Sequence, residues 1–391
     1  MLRIVRAPGL LAATDDAHPF VAFDSELAWA GCASAHGMTA SARAALVYEL
    51  DDAVRDVGGV GFAVTPFARQ DAMSDALGFD PDGGVWVKDE TCNVGGSHKA
   101  RHLFTVLLHL RACETLGLAP WVTPSERPPL AIASCGNAAI AAATLAAALR
   151  WPLTVFIPPW ASQSVVATLR AYGATLQVCQ RLVTDAPGDP CIYRFREAVA
   201  GGAVPFSVQG PENALCLDGG RVMGFEMLSA GFELDRVFVQ VGGGALAAGL
   251  ADALAIFRSG ARLHAVQAQG CAPLDRAWSR AVALPGGAAT AAEHWDDCMW
   301  PWEHEPASIA DGILDDETYD WIEVVEGMFR SGGSPVVATE ADLTTAHEIG
   351  VRRTAIDVSA TGTAGLAGLI AMRERVADSD RVAVVFSGAE R

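Results

Sequence analysis

Several features that would assign a class outright are missing from this sequence. There is no clustered run of Lys and Arg: 28 basic residues stand against 46 acidic ones in 391 positions, a formal net charge of −18. Nucleic-acid binding needs a concentrated basic surface, so no nucleic-acid partner is expected. The nine cysteines contain no CxxC pair and no zinc-ligand spacing. An odd, scattered set reads as reduced thiols of a cytoplasmic protein, with no metal. The N-terminus carries Arg3 and Arg6, but its short apolar run stops at Asp15 and Asp16, too weak for a signal peptide. The longest low-charge stretch, 128–149, is built of alanine and broken by Gly136 and Asn137, which suits a buried strand–loop–helix and not a membrane span. No internal repeat, low-complexity linker or P-loop Gly-Lys-Ser/Thr is present.

What the chain does have is apolar residues, 51% of the total, enough for a large core. The length suggests two domains, or one with an appended lobe. From residue 85 onward short apolar runs alternate with helical patterns. "LAIAS" (130–134) leads into 138–149, and "LTVFIP" (153–158) into a helix near 161–172, with "ATLQVC" (174–179) next. "RVFVQV" (236–241) leads into 245–258, followed by "RLHAVQ" (262–267). A helix at 362–377 leads into "RVAVVF" (381–386). This alternation predicts an α/β fold with twisted parallel sheets covered by helices on both faces. Residues 1–80 read as an irregular lead-in with one helix near 40–56, and 183–191 as a loop. Residues 271–310 fit no pattern; within them the tryptophan-rich segment 295–302, with Trp295, Trp300 and Trp302, reads as a lid or subunit contact.

Ligands in such sheets sit at the carboxyl ends of strands. Four polar or glycine-rich corners follow strands here: Gly95-Gly96-Ser97-His98-Lys99, Ser134 to Ala139, Gly242 to Gly249, and the run from Ser387. Lys99 is either a surface charge or a nucleophilic amine. The triple glycine is either a tight turn or a cradle in which backbone N–H groups and a helix N-terminus hold a phosphate or carboxylate. A dinucleotide fingerprint would need a later acidic residue for the ribose, so the cradle suits a lone phosphate. A lone phosphate and a corner lysine together suggest pyridoxal 5′-phosphate, whose aldehyde takes a lysine as a Schiff base.

The segments "KDETCNVGGSHKAR", "SCGNAA", "VGGGALAAG" and "FSGA" resemble, in order, those of the fold-type II pyridoxal-phosphate enzymes, which include threonine synthase, serine/threonine dehydratase and the tryptophan synthase β chain. The resemblance runs from about residue 60 to the C-terminus. It implies that Lys99 is the Schiff-base lysine and that Asn137 bonds the cofactor's 3′ oxygen. It also implies that Ser134, Cys135, Gly136 and Ala138 hold the substrate carboxylate; Ser97 is either a simple helix cap or, on the resemblance, a further substrate or phosphate contact. Gly242, Gly243, Gly244 and Ala245 would form the phosphate loop, and Ser387 would face the pyridine nitrogen. The implied organisation is a large domain of 1–99 and 211–391 and a small one of 100–210 carrying the asparagine loop, with the cofactor between them. A homodimer acting on a small amino acid is expected.

Some positions depart from the family's pattern. His98 stands in place of a phenylalanine and reads as a packing residue at the helix start. Cys135 reads first as a small buried residue; the sharper reading makes it an acid–base group opposite Lys99. Gln267 replaces a glutamate of the dehydratases and leans toward threonine synthase. Ser359 and Ala360 replace a Glu-Pro pair, while Thr361 keeps a hydroxyl. Gly219, Gly220 and Arg221 should open a helix near the pocket. A neutral hydroxyl at Ser387 would leave the ring nitrogen largely unprotonated, which favours elimination over transamination. The expected activity is therefore α,β-elimination on a small L-amino acid, of the ammonia-lyase type. Threonine synthase-like β- or γ-replacement on an O-activated amino acid is the alternative. A catalytically silent, cofactor-binding regulatory protein is the reading from another class; the joint presence of Lys99, Asn137, the glycine loop and Ser387 argues against it.

Overall fold

The computed structural model describes residues 14–391, so the segment around Arg3 and Arg6 lies outside it. The described strands are β1 (Phe67–Arg69), β2 (Gly84–Asp89), β3 (Leu130–Ala133), β4 (Leu153–Ile157), β5 (Thr175–Val178), β6 (Val204–Pro205), β7 (Arg236–Gln240), β8 (Arg262–Ala268), β9 (Ser334–Ala338) and β10 (Arg381–Phe386). The chain divides into two compact units. One comprises the residues up to Val64 with Asn93–Val222; the other comprises Thr65–Cys92 with Met223–Arg391.

The first unit holds a four-stranded, wholly parallel sheet in the order β5-β4-β3-β6. The inner strands β3 and β4 are apolar and mostly buried, as strands covered on both faces must be, while the edge strand β5 is mostly exposed. The second unit holds a six-stranded sheet, β1-β2-β10-β7-β8-β9, parallel except for β1. Its helix Ala364–Ala371 lies directly on β7 and β8, because Gly365 and Gly368 let it approach Phe238 and Val266. Helix Ala245–Ile256 packs on Trp321–Ser331 where Gly327 meets Ala251. The α/β architecture with parallel sheets is the one the alternating pattern predicts.

Two stretches are more regular than their sequence suggests. Residues 14–80 contain not one helix but four: Pro19–Ala22, Ala28–Ala35, Ala40–Gly58 and Asp71–Ala76. The first is a single turn, begun by Pro19 at its first position and by His18 Nδ1 accepting from the amide of Phe20. Such short pieces carry little periodicity and are held by packing. In 271–310, helix Pro273–Ala283 leads into a 3₁₀ stretch, Gly287–His294, and a last turn at Trp295–Cys298. There Arg276 stacks on Trp300, 3.8 Å from the ring centre, and also bonds Glu303.

The first unit is organised around helix Lys99–Thr115. Its residues Ala100 to Leu108 are all buried, so it is a core element on every side. Helix Leu217–Leu228 meets it backbone to backbone at Gly219: a Cβ placed there would stand 2.5 Å from the carbonyl carbon of Arg101 and from His102 Cα. Backbone atoms cannot swing aside as a side-chain end can, so only glycine fits. Gly219→Ala should therefore cost about 2–3 kcal/mol, the usual penalty for overfilling a tight contact. Thermal unfolding would read this as a fall of several degrees in Tm, and an unchanged Tm would show that the two helices are free to separate.

Candidate active site

In the first unit, the lysine corner is a turn that needs two glycines. Gly95 and Gly96 have φ of 64° and 67°, the left-handed region where a Cβ is strained. Asn93 accepts the amide of Val94 through its side chain and sets the turn's start. Ser97 is extended and fully buried, and its Oγ accepts from the amide of Lys99 at 3.4 Å. Lys99, half-buried, is then the first residue of the helix. The turn leans on helix Asn137–Ala148, with Ala141 Cα 3.6 Å from where a Gly95 side chain would begin. Lys99 and the Asn137 corner are thus brought together on neighbouring elements of one unit.

Asn137 opens its helix directly after a turn of Ser134, Cys135 and Gly136, all half-buried. No side chain caps this helix, and nothing lies within 4 Å of a Cβ built on Gly136. A helix N-terminus entered through such a turn is the kind of place that binds carboxylates. Ala138 is buried beneath the turn. Cys135 takes part in no disulfide, and its position on this turn is compatible with either role expected of it.

One consequential feature escaped the sequence reading. The His98 ring does more than fill space. Its Nδ1 lies 3.1 Å from His102 Nε2, and His102 Nδ1 donates to the carbonyl oxygen of Cys216 at 2.7 Å. Burial, and then the adjacent Lys99 charge, hold the His98 imidazole well below its ordinary pKa. Thr105 adds a bond to the carbonyl of Leu215 at 2.7 Å. Segment 215–219 thus grips the first turns of the lysine helix. The i, i+4 spacing of His98 and His102 was a legible signal for half of this chain.

In the second unit, the glycine corner follows β7. Gly244 has φ of 102° and begins helix Ala245–Ile256, which again lacks a side-chain cap. Gly242 lies against Ile313 and the Asp315 carboxylate, and Gly243 lies against the Tyr319 ring, 3.3 Å from a Cβ built there. Ser387, 5% exposed, follows β10 and receives a hydrogen bond from Gln240 Nε2 at 2.6 Å. Gln267 spends its amide within the fold. Its Oε1 accepts from the amides of Leu274 and Asp275, and its Nε2 donates to Val241 O and Thr318 Oγ1, so it caps a helix. Ser359 is likewise a brace, with its amide and hydroxyl both donating to Gly388 O.

A second signal lay in composition: the sequence contains only two lysines, Lys88 and Lys99. Lys88 is fully buried on β2, where its Nζ bonds Glu226 at 2.5 Å and the carbonyl of Thr65 at 2.7 Å. An ammonium held this way is a structural ion and no nucleophile.

The chain belongs to the pyridoxal-phosphate dependent enzyme family, whose model matches residues 60–388. Among curated relatives, it is 27% identical to phenylserine dehydratase of Ralstonia pickettii over 224 residues, 57% of this chain and 63% of that protein. It is 25% identical to an L-threonine dehydratase of Haemophilus influenzae over 331 residues, 83% of this chain and 56% of the relative. The chain thus spans under two-thirds of the length of either. Solved structures of the same fold include the processed form of threonine deaminase isoform 2 from Solanum lycopersicum, with a TM-score of 0.65 at 17% identity, covering 89% of this chain and 90% of the other. Maize serine racemase has a TM-score of 0.64 at 19% identity, covering 88% and 93%.

Pyridoxal phosphate is the cofactor of this family. The residues present fit it on three counts. They offer one lysine outside the buried ion pair, a helix N-terminus without a side-chain cap after a glycine corner, and a buried hydroxyl that accepts from Gln240. The ion pair itself makes a prediction. Glu226→Ala strands the Lys88 ammonium in the core and should cost about 3–5 kcal/mol, while the double change Lys88→Met with Glu226→Leu should recover most of it. Urea unfolding of the three proteins checks this; equal stability of the single and double variants would count against it.

Proposed function

We propose that this protein is a lyase that carries out α,β-elimination on a small L-amino acid, with Lys99 as the cofactor's covalent anchor and the base for the α-proton. The observation that carries the reading is the division of labour between the two lysines. Lys88 is consumed by Glu226 and Thr65, which leaves Lys99, at the first turn of a clamped helix, as the amine for the chemistry. The reaction class is supported by both curated relatives being dehydratases.

When bound, the cofactor supplies an electron sink for the α-carbon of the amino acid joined to it. The chain's residues do the rest. The uncapped N-terminus at Ser134–Ala138 binds the substrate carboxylate through backbone N–H groups, and Asn137 holds the cofactor's ring oxygen. The Gly242–Ala245 corner takes the phosphate at the positive end of a helix. Lys99 Nζ, once released, takes the α-proton as general base. Ser97 orders the backbone beside it. Cys135 stands beside the carboxylate turn as the candidate second proton carrier. We take residues 100–210, all within the first unit, as the body of the small domain, with a homodimer as the working assembly in the cytoplasm.

Borohydride reduction of the holoprotein followed by peptide mapping should place the pyridoxyl group on Lys99. Lys99→Ala should lose the covalent attachment and lower keto-acid formation from serine, threonine or phenylserine by at least about 10³-fold, since it removes anchor and base together. A label on Lys88, or turnover that survives in Lys99→Ala, would overturn the assignment.

A further inference from the structure

We propose that Gln240 is the positioning residue that commits Ser387 to donate its hydroxyl proton to the cofactor's ring nitrogen. The inference rests on the cofactor reading above and adds to it the direction of a hydrogen bond. Gln240 ends strand β7 after three apolar residues, Val237 to Val239, and is 5% exposed. Its Nε2 lies 2.6 Å from Ser387 Oγ. The same nitrogen also faces three backbone carbonyl oxygens, of Gly362 at 2.9 Å and of Thr361 and Val385 at 3.2 Å each.

Those carbonyls decide the orientation of the amide. Carbonyl oxygens only accept, so they demand the NH₂ end. Rotating the amide by 180° would place Oε1 against three other oxygens and lose every bond. The opposite end of the side chain offers no compensation: among the described residues Oε1 is buried without a hydrogen-bond partner, beside Gly365. The protein leaves one acceptor unsatisfied, a real cost in a core, to keep an N–H on Ser387.

The consequence passes to the serine. A hydroxyl has one proton and two lone pairs. The amide has two protons, and its two shortest contacts, Ser387 Oγ at 2.6 Å and Gly362 O at 2.9 Å, take them. With one lone pair of Ser387 engaged in this way, and no acceptor for its own proton among the hydrogen bonds of the described residues, that proton is left for a partner outside this network. A group placed against it meets a donor. A pyridine nitrogen there is therefore held in its acceptor form, without a proton. Without the amide, the Ser387 hydroxyl would be free to donate to the carbonyl of Gly362 or Val385 and to offer the ring a lone pair instead.

The experiment uses holoprotein carrying pyridoxal phosphate labelled with ¹⁵N in the ring, together with equilibrium measurement of cofactor affinity. In the wild type the ¹⁵N resonance should be that of an unprotonated pyridine. Gln240→Met and the shortened amide Gln240→Asn should move it toward the pyridinium position and weaken cofactor binding by about three- to ten-fold, the scale of one hydrogen bond. In a Ser387→Ala background the same Gln240 changes should have no further effect on affinity, because they act through the serine. A pyridinium resonance in the wild type overturns the proposal without any variant, as does additivity of Gln240→Met with Ser387→Ala. A wild-type protein that binds no pyridoxal phosphate would instead overturn the cofactor reading beneath it.

Discussion

A helix that starts at Lys99 and lies buried for most of its length can present that residue in one place only if it neither slides nor rolls. The contact that prevents both is the meeting of two backbones at Gly219, where the absence of a side chain lets helix Leu217–Leu228 touch the chain at Arg101 and His102. The neighbouring carbonyls of Leu215 and Cys216 take hydrogen bonds from Thr105 and His102, and His102 passes the constraint to His98, beside the lysine. Sterics fix the separation of the helices and polar contacts fix their register. The arrangement works because the helix is buried: in water these few hydrogen bonds would each contribute only about 1 kcal/mol and could not hold a helix still.

The scarcity of lysine gives the electrostatics a simple form. With 46 acidic residues and only two lysines, the rest of the positive charge is arginine and histidine. Arginine keeps its proton under all ordinary conditions and is a poor nucleophile, so the chain has few amines to protect from side reactions. One of them sits in a fully buried ion pair with Glu226, where loss of either partner would leave a bare charge in the core. The other lies at a glycine turn, half-exposed. The same residue type thus stands in two different settings, and burial with a carboxylate is what separates them.

Polar groups in the second unit are placed with comparable economy. Gln267 and Gln240 both sit near strand ends in the core, yet they differ in what they leave over. Gln267 spends both ends of its amide on its own unit, capping helix Pro273–Ala283. Gln240 turns the two protons of one end toward a hydroxyl and a cluster of backbone carbonyls and leaves the other end without a bond among the described residues. Natural cores tolerate few such orphans, and those they keep tend to lie where the chain does something besides fold.

Local chemistry was legible along the chain. The apolar runs located most of the strands with a boundary error of a residue or two, since period and burial are written in consecutive positions. The glycine corners and the lysine between them could also be read there, because a positive φ and a tight turn leave a mark on residue type. Short helices such as Pro19–Ala22 were not legible, because one turn has no period to detect. Nor was the partner of any distant group. Nothing in the sequence says that Lys88 meets Glu226, that Gly219 meets Arg101, or that Gln240 reaches Ser387 across 147 positions. Those pairings are set when the sheets and helices pack. In a core where water is excluded, a polar side chain must take whatever partner the packing brings, and only the folded chain decides which one that is.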